Sequence, residues 1–253
     1  MNQKWDADNY FKNFSFVHKY GFEVLNLIDR DKVKSALDLG CGNGILTNEL
    51  KNFGFNVEVT GLDASDEMLN IAKNNYPEIK FIKGDATNFK LNSPVDLIFS
   101  NAVLHWIEKS SQPKMMECVN NSLKSGGQFI FEMGGHENNI LIHSTLKKIF
   151  ESRNLKYIMP FYFPSIGEYS AMLENSGFKV CYAILFDRPT PLDGEDGLLN
   201  WLKMFQKNQF KNIPDDVHEE ILKEAVGILR PKLYKNNIWY SDYVRLRMRA
   251  IKI

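Results

Sequence analysis

The sequence is poor in cysteine and carries no surplus of charge. Three cysteines occur in 253 residues, at Cys41, Cys118 and Cys181, widely spaced and without a C-x-x-C pair. That argues against a disulfide framework and a thiolate zinc site, so no metal is assigned and a reducing, cytoplasmic setting is expected. Lys plus Arg and Asp plus Glu both total 31, for a net charge of zero. A neutral chain has no general attraction for nucleic acid or an anionic membrane, and neither is expected as a partner. No stretch approaches the roughly eighteen uninterrupted apolar residues that suggest a membrane span. No basic amphipathic helix suggests stable membrane association. The opening MNQKWDADNY lacks the basic and apolar regions of a secretory signal. Internal repeats and low-complexity tracts are also missing.

What is present is an ordinary globular composition, 44% hydrophobic and 25% charged. It suits one large α/β domain with an insertion. Aromatics crowd the first 34 residues, with Trp5, Tyr10, Phe11, Phe14, Phe16, Tyr20 and Phe22. A helix is expected over Val17–Ile28, burying Phe22, Leu25 and Ile28. Short apolar runs then alternate with helical stretches. Strands are expected at Ser35–Leu39, Val57–Asp63, Lys80–Lys83, Val95–Ser100 and Gln128–Met133. Helices are expected at Ile45–Phe53, Ser65–Asn74 and Gln112–Leu123, the last broken by Ser125-Gly126-Gly127. This rhythm predicts a doubly wound, mostly parallel sheet covered on both faces. Beyond Gly134-Gly135, helices are expected at Ile140–Ser152 and Ile166–Ser176, and a strand at Phe178–Phe186. Between Pro189 and Asn237 no strand is expected, only helices at Gly197–Phe205 and Asp215–Leu229. A long strand, Trp239–Ile253, closes the chain.

The strongest chemical signal is Ala36-Leu37-Asp38-Leu39-Gly40-Cys41-Gly42-Asn43-Gly44: a strand, a glycine-rich turn and the start of a helix. Glycine permits the tight backbone and lets a ligand approach without a Cβ in the way. Free amides at a helix start suit a carboxylate or phosphate. A dinucleotide enzyme uses a similar loop, but Ile45 stands where its G-x-G-x-x-G fingerprint wants glycine. Asp38, just before the loop, would repel a pyrophosphate and favour an ammonium or sulfonium. Asp63 closes the next strand at the distance expected of a carboxylate that accepts ribose hydroxyls. Gly84-Asp85-Ala86 follows the third strand, where an acid can accept from an exocyclic adenine amine. Together the three acids would form one polar edge of the kind at which open α/β sheets bind ligands.

LDLGCGNG, GLDASDEML, GDA, DLIFSNAVLHW and LKSGGQFIFE together resemble the successive motifs of class I S-adenosylmethionine-dependent methyltransferases, over roughly residues 30–135. The resemblance implies a Rossmann-like, seven-stranded sheet whose last strand is antiparallel, with a helical insertion before it. It implies S-adenosylmethionine as cofactor. Gly40 and Gly42, with Asp38 and Cys41, would lie near the methionine part, and Asp63 and Ala64 at the ribose. Met68 would pack near the adenine, Asp85 and Ala86 at its edge, and Asn101 at the methionyl end. More narrowly, Trp5-Asp6, Tyr10, Asn101–Trp106 and Trp201 resemble the trans-aconitate methyltransferase group, in which an N-terminal aromatic segment folds over the cofactor. Residues 1–34 are then a helical lid segment, 35–133 the cofactor core, and 134–253 the rest of the sheet with acceptor-side helices, all in one domain.

A small molecule, with a carboxylate among the acceptor types, is the expected methyl acceptor. Glu132–Asn138 departs from the aconitate enzymes, so the acceptor itself is not assigned, nor is an oligomeric state. His105 either orients or deprotonates the acceptor, or caps its turn. Tyr10 either closes over the cofactor carboxylate or packs an N-terminal helix. Arg188 either meets a carboxylate acceptor or pairs with Asp187 on the surface. Met159–Pro164, with Trp201, Met204 and Phe205, is either an acceptor-pocket wall or the underside of a helical layer. A nicotinamide-dependent oxidoreductase on a related sheet and a non-catalytic cofactor-binding protein are the alternatives.

Overall fold

The computed structural model describes residues 16–52, 57–211 and 213–253. Its strands are β1 (Ser35–Leu39), β2 (Glu58–Asp63), β3 (Lys80–Lys83), β4 (Val95–Asn101), β5 (Leu123–Gly134), β6 (Phe178–Leu192), the two-residue β7 (Tyr234–Lys235) and β8 (Ile238–Lys252). The sheet runs β3-β2-β1-β4-β5-β8-β6, with β7 paired to β8 off this path. Pairs among β1 to β5 are parallel, and β8 is antiparallel to both β5 and β6. The sheet thus has eight strands, one more than the resemblance implied, because the two-residue β7 pairs with β8; the antiparallel last strand is as implied.

Eight helices accompany the sheet among the described residues: α1 (Phe16–Leu25), α2 (Ile45–Asn52), α3 (Asp66–Asn75), α4 (Gln112–Ser122), α5 (Ile140–Ser152), α6 (Ile166–Asn175), α7 (Gly197–Phe205) and α8 (Asp215–Leu233). On one face, Val24, Leu25, Leu46 and Leu50 of α1 and α2 share a core with Leu97, Phe99 and Ile130. On the other, α4 and α6 bury Met115, Met116, Tyr169 and Leu173 with Phe129, Phe131 and Met248. A third core joins α5, α7 and α8 through Leu146, Phe150, Trp201, Ile221 and Leu229. No helix among the described residues is long and apolar enough to cross a membrane.

Four expectations need correction. Phe22 is 40% exposed, whereas Val24 is fully buried. The inward stripe of α1 follows Gly21, Val24 and Leu25, with Ile28 buried in the turn after it. Next, Ser125-Gly126-Gly127 does not separate α4 from its strand; β5 begins at Leu123 and absorbs the glycines where its register on β4 shifts. Third, β6 continues through Pro189 and Pro191 to Leu192. Strand β6 is the edge of the sheet, so a proline there removes no needed ladder donor. Fourth, α8 runs on to Leu233, and β7 and β8 form a hairpin through Asn236 and Asn237, both at positive φ. Such a two-residue turn demands residues tolerant of that conformation, and asparagine is one.

Candidate active site

Strand β1 ends at Leu39, and the chain turns at once. The N–H groups of Gly40 and Cys41 both donate to the Leu62 carbonyl, at 2.7 and 3.0 Å, pinning the loop to β2. Gly40 has φ +78, and a Cβ there would stand 2.3 Å from Cγ2 of Val103. Gly42 differs: φ is +53, but among the described residues no atom lies within 4 Å of the missing Cβ, so none of them closes that side of the loop. Its N–H donates to Oδ2 of Asp63 at 2.8 Å, while Oδ1 accepts from the Ser65 N–H at 2.8 Å. One carboxylate thus ties the loop to the start of α3, where Ser65 caps the helix by accepting from the Met68 N–H. Burial raises the pKa of Asp63, opposed by the hydrogen bonds from Ser65, Gly42 and Ala64.

The three acids do not share one environment. Asp38 is buried beneath α2, and its Oδ2 accepts from the Thr47 hydroxyl at 2.7 Å. Burial pushes its pKa up to about 7; Thr47 works against this and the negative charge of Asp63 adds to it. Asp38 pairs in register with Gly61, two residues before Asp63. Asp85 is two residues past Lys83, the register partner of Asp63. It is exposed, and its Oδ1 accepts from the N–H and hydroxyl of Thr87, which hold its pKa down. Asp63 and Asp85 therefore stand on the rim, with Asp38 below it. Cys41 and Met68 are buried, and Ala64 and Ala86 half-buried, around the same edge. The Cys41 thiol is held neutral by burial and by Asp38 and Asp63.

At the end of β4, Asn101 is buried, and its Nδ2 would lie 3.1 Å from a Cβ on Gly21 of α1. Ala102 then takes φ +58, a conformation that costs a non-glycine residue energy. This turn sends Val103 back against Gly40 and starts the single helical turn Leu104–Trp106. His105 is buried, and its Nδ1 accepts from the N–H of Gly134 at 3.2 Å. The ring is therefore the tautomer carrying its proton on Nε2. Burial, and secondarily Arg245, depress its pKa well below the ordinary histidine value. A neutral ring whose lone pair meets a backbone amide keeps only a hydrogen-bond donor on its other nitrogen and is not a ready base.

The Met159–Pro164 stretch is strapped to this turn, with the Tyr162 N–H donating to the His105 carbonyl at 2.9 Å. Phe161 and Phe163 stack at 5.4 Å, and each ring lies 5.9 Å from His105. Trp106 meets Phe161 edge-on at 4.6 Å and Phe205 at 6.4 Å. Trp201 packs on Phe205 and donates its indole N–H to the Tyr243 hydroxyl at 2.7 Å. Trp201, Met204 and Phe205 belong to the helical core, as the underside reading foresaw, while Phe161 and Phe163 pack against His105.

Beside this ring lies a charged cluster. Glu132, 1% exposed, accepts from Arg188 Nη1 at 2.7 Å, Arg245 Nε at 3.2 Å and Arg247 Nε at 2.8 Å. Burial works to raise the pKa of Glu132, but Arg245, Arg188 and Arg247 together hold it below the ordinary range. Glu23 of α1 joins through Arg188 and Arg247. Arg188 therefore pairs with Glu132 and Glu23, not with Asp187, and stacks over Tyr20 at 4.3 Å. Antiparallel pairing across the sheet explains this: Glu132 faces Arg247, and Gly134 faces Arg245.

Sequence reasoning named Asp38, Asp63, Asp85, Asn101 and His105, and the structure gathers them at the carboxyl ends of β1 to β4. It overlooked Arg245, Arg247, Glu132, Thr47 and His143. The alternation Arg245-Leu246-Arg247-Met248-Arg249-Ala250 was the available signal, since it puts every arginine on one face. Tyr10, with Trp5 and Asp6, lies outside the described residues.

Comparison with known proteins gives this edge its family. The profile described as "Methyltransferase domain" matches residues 36–127, from β1 into β5. An uncharacterized methyltransferase of Schizosaccharomyces pombe is 32% identical over 98% of this chain and 98% of its own. Trans-aconitate 2-methyltransferase of Rhizobium rhizogenes is also 32% identical, but the match spans only 51% of this chain and 50% of the enzyme. Among solved structures, Haemonchus contortus phosphoethanolamine N-methyltransferase 2, in complex with phosphomonomethylethanolamine and S-adenosylhomocysteine, superposes with a TM-score of 0.60 at 15% identity. That match covers 97% of this chain and 56% of the nematode enzyme. With the loop, the acidic rim and the strand order in place, the chain belongs to the class I S-adenosylmethionine-dependent methyltransferases.

Proposed function

We propose that the protein transfers a methyl group to a carboxylate of a small organic acid bound above the ends of β4 and β5. The observation that carries this reading is Arg245. The side chain is buried, and its one hydrogen bond among the described residues runs from Nε to Glu132, which leaves its two terminal amino groups available. Its charge acts on His105 across Gly134. A planar guanidinium suits the two oxygens of a carboxylate. The partial likeness to trans-aconitate 2-methyltransferases points the same way.

The cofactor fits the residues present. Asp63 and Asp85 offer rim acceptors for ribose hydroxyls and an adenine amine, while the open side of Gly42 and Asn101 would flank the methionyl part. When bound, S-adenosylmethionine supplies a methyl group activated on positive sulfur. The chain must then hold the nucleophile in line and exclude water. Phe161, Phe163 and Trp106 form the wall that does the excluding. His105 presents Nε2–H as a donor that orients an acceptor oxygen. No base is required, because a carboxylate attacks as it stands. The three free cysteines suit a reducing compartment, the cytoplasm, as the place of this reaction.

The test is turnover. Purified protein is incubated with S-adenosylmethionine and a panel of mono-, di- and tricarboxylic acids, trans-aconitate included, beside small amines, phenols and thiols, and S-adenosylhomocysteine and the methylated product are quantified. Ester formation is the expected result. Methylation of amines, phenols or thiols with no acid methylated would overturn the proposal.

A further inference from the structure

Beside the stacked Phe161 and Phe163 lies a buried polar group that the methyl transfer does not use. His143 of α5 packs its ring 5.7 Å from Phe161 and 5.9 Å from Phe163, the same two rings that His105 touches. Its Nδ1 is 2.6 Å from the hydroxyl of Tyr157, which in turn lies 3.3 Å from Oε1 of Gln206, at the end of α7. His143 and Gln206 are 2% and 0% exposed. Among the described residues, neither Nε2 of His143 nor Nε2 of Gln206 meets a partner. Leaving two such atoms unmet in one network is costly, so a further polar group, a ligand's or a water's, must meet them.

Proton counting fixes what that ligand must be. The Tyr157 hydroxyl has one proton. If it goes to Gln206 Oε1, then His143 donates from Nδ1, Nε2 is a bare lone pair, and the Gln206 amide offers N–H. If it goes to His143 Nδ1 instead, Nε2 carries the proton, and the Gln206 amide turns to donate to Tyr157 and offers its oxygen. In either arrangement the network presents one donor and one acceptor. Burial pushes the pKa of His143 down to about 3, so the site is uncharged and has no attraction for a second carboxylate.

We infer that His143 and Gln206, relayed by Tyr157, form a distal subsite for a neutral hydroxyl group on the methyl acceptor, beside the stacked Phe161 and Phe163. The inference rests on the carboxylate reading only for the other end of that molecule. It makes the acceptor class a hydroxy acid, with the acid near Arg245 and the hydroxyl near His143.

Two series of probes test it: straight-chain ω-hydroxyalkanoates of increasing length, and alkanoates in which a methyl replaces the hydroxyl. One chain length of the hydroxy series should exceed its methyl counterpart by about 10- to 100-fold in kcat/KM. His143→Phe and Gln206→Met fill the same space without polar atoms. They should abolish that preference while leaving S-adenosylhomocysteine affinity unchanged. Equal turnover of both series, or a preference that survives the variants, overturns the subsite. Should either variant fail to fold, or no acid be methylated, the wild-type protein with ¹⁵N-labelled histidine decides. In the presence of S-adenosylhomocysteine, the His143 Nε2 resonance should shift with short hydroxyalkanes and ω-hydroxyalkanoates but not with alkanoates. An unmoved resonance means that only enclosed water meets these atoms, and overturns the inference. Failure of every acid with a moving resonance removes the carboxylate reading alone.

Discussion

Gly42 donates its backbone N–H to Oδ2 of Asp63 at 2.8 Å, so the glycine loop and this carboxylate are one structural unit. The other carboxylate oxygen holds Ser65. Asp63→Asn keeps the shape but sets an amide donor against a backbone donor on one side and removes the charge. Hydrogen bonds to a charged group contribute about 1.5–3 kcal/mol. Affinity for S-adenosylhomocysteine should therefore fall about 10- to 100-fold by titration calorimetry. Binding at wild-type strength would show that Asp63 shapes the loop without touching the ligand.

The two glycines of the loop should fail in different ways. At Gly40 a Cβ collides with Val103, and overpacking of this kind costs about 1–3 kcal/mol, in addition to about 1–2 kcal/mol for a left-handed backbone. Gly40→Ala should thus lower stability in urea denaturation. Gly42→Ala bears the backbone cost, because among the described residues its Cβ meets no atom. It should stay folded yet lose at least tenfold in S-adenosylhomocysteine affinity. Normal binding by Gly42→Ala would mean that the open side of the loop faces away from the cofactor.

The order of these elements was readable because buried parallel strands appear as short apolar runs, and Leu37, Leu39, Ile98 and Phe129 all enter the core as such. Asp63 was readable because its place at a strand end is a local property. Arg245 was not, since its proximity to His105 exists only through the antiparallel register that sets it opposite Gly134. Glu132 was hidden for the same reason: three of its partners come from strands about 56 to 115 positions away. The prolines of β6 misled because a sequence does not announce which strand will be the edge.

Asp38 makes a pH prediction with a definite sign. Its pKa rises to about 7 in the folded protein, chiefly through burial, from an unfolded value near 3.9. A raised pKa contributes stability that is fully present below the unfolded value and is lost as pH climbs through the folded one. Stability from this group should therefore decline between about pH 4 and pH 7, by at most roughly 1.4 kcal/mol per unit. Asp38→Asn, which keeps an acceptor for Thr47, should remove that decline. Urea denaturation of both proteins across this range, without cofactor, measures the difference. Parallel curves would show that Asp38 is ionised throughout.

Arg245 separates a binding role from a structural one. Arg245→Met keeps most of the aliphatic stem and removes the fork, while Arg188 and Arg247 still neutralise Glu132. The fold should survive, and S-adenosylhomocysteine should bind as before. The acid with the highest turnover should lose about 10- to 100-fold in kcat/KM, mostly as raised KM, because a charged contact to the acceptor has gone. Arg245→Lys restores the charge without the planar pair of donors, so recovery should be partial. A purely structural arginine predicts the opposite pattern: a lower melting temperature for both variants, with KM for the acid unchanged. The split between KM and melting temperature therefore decides whether this guanidinium meets the substrate or only supports Glu132.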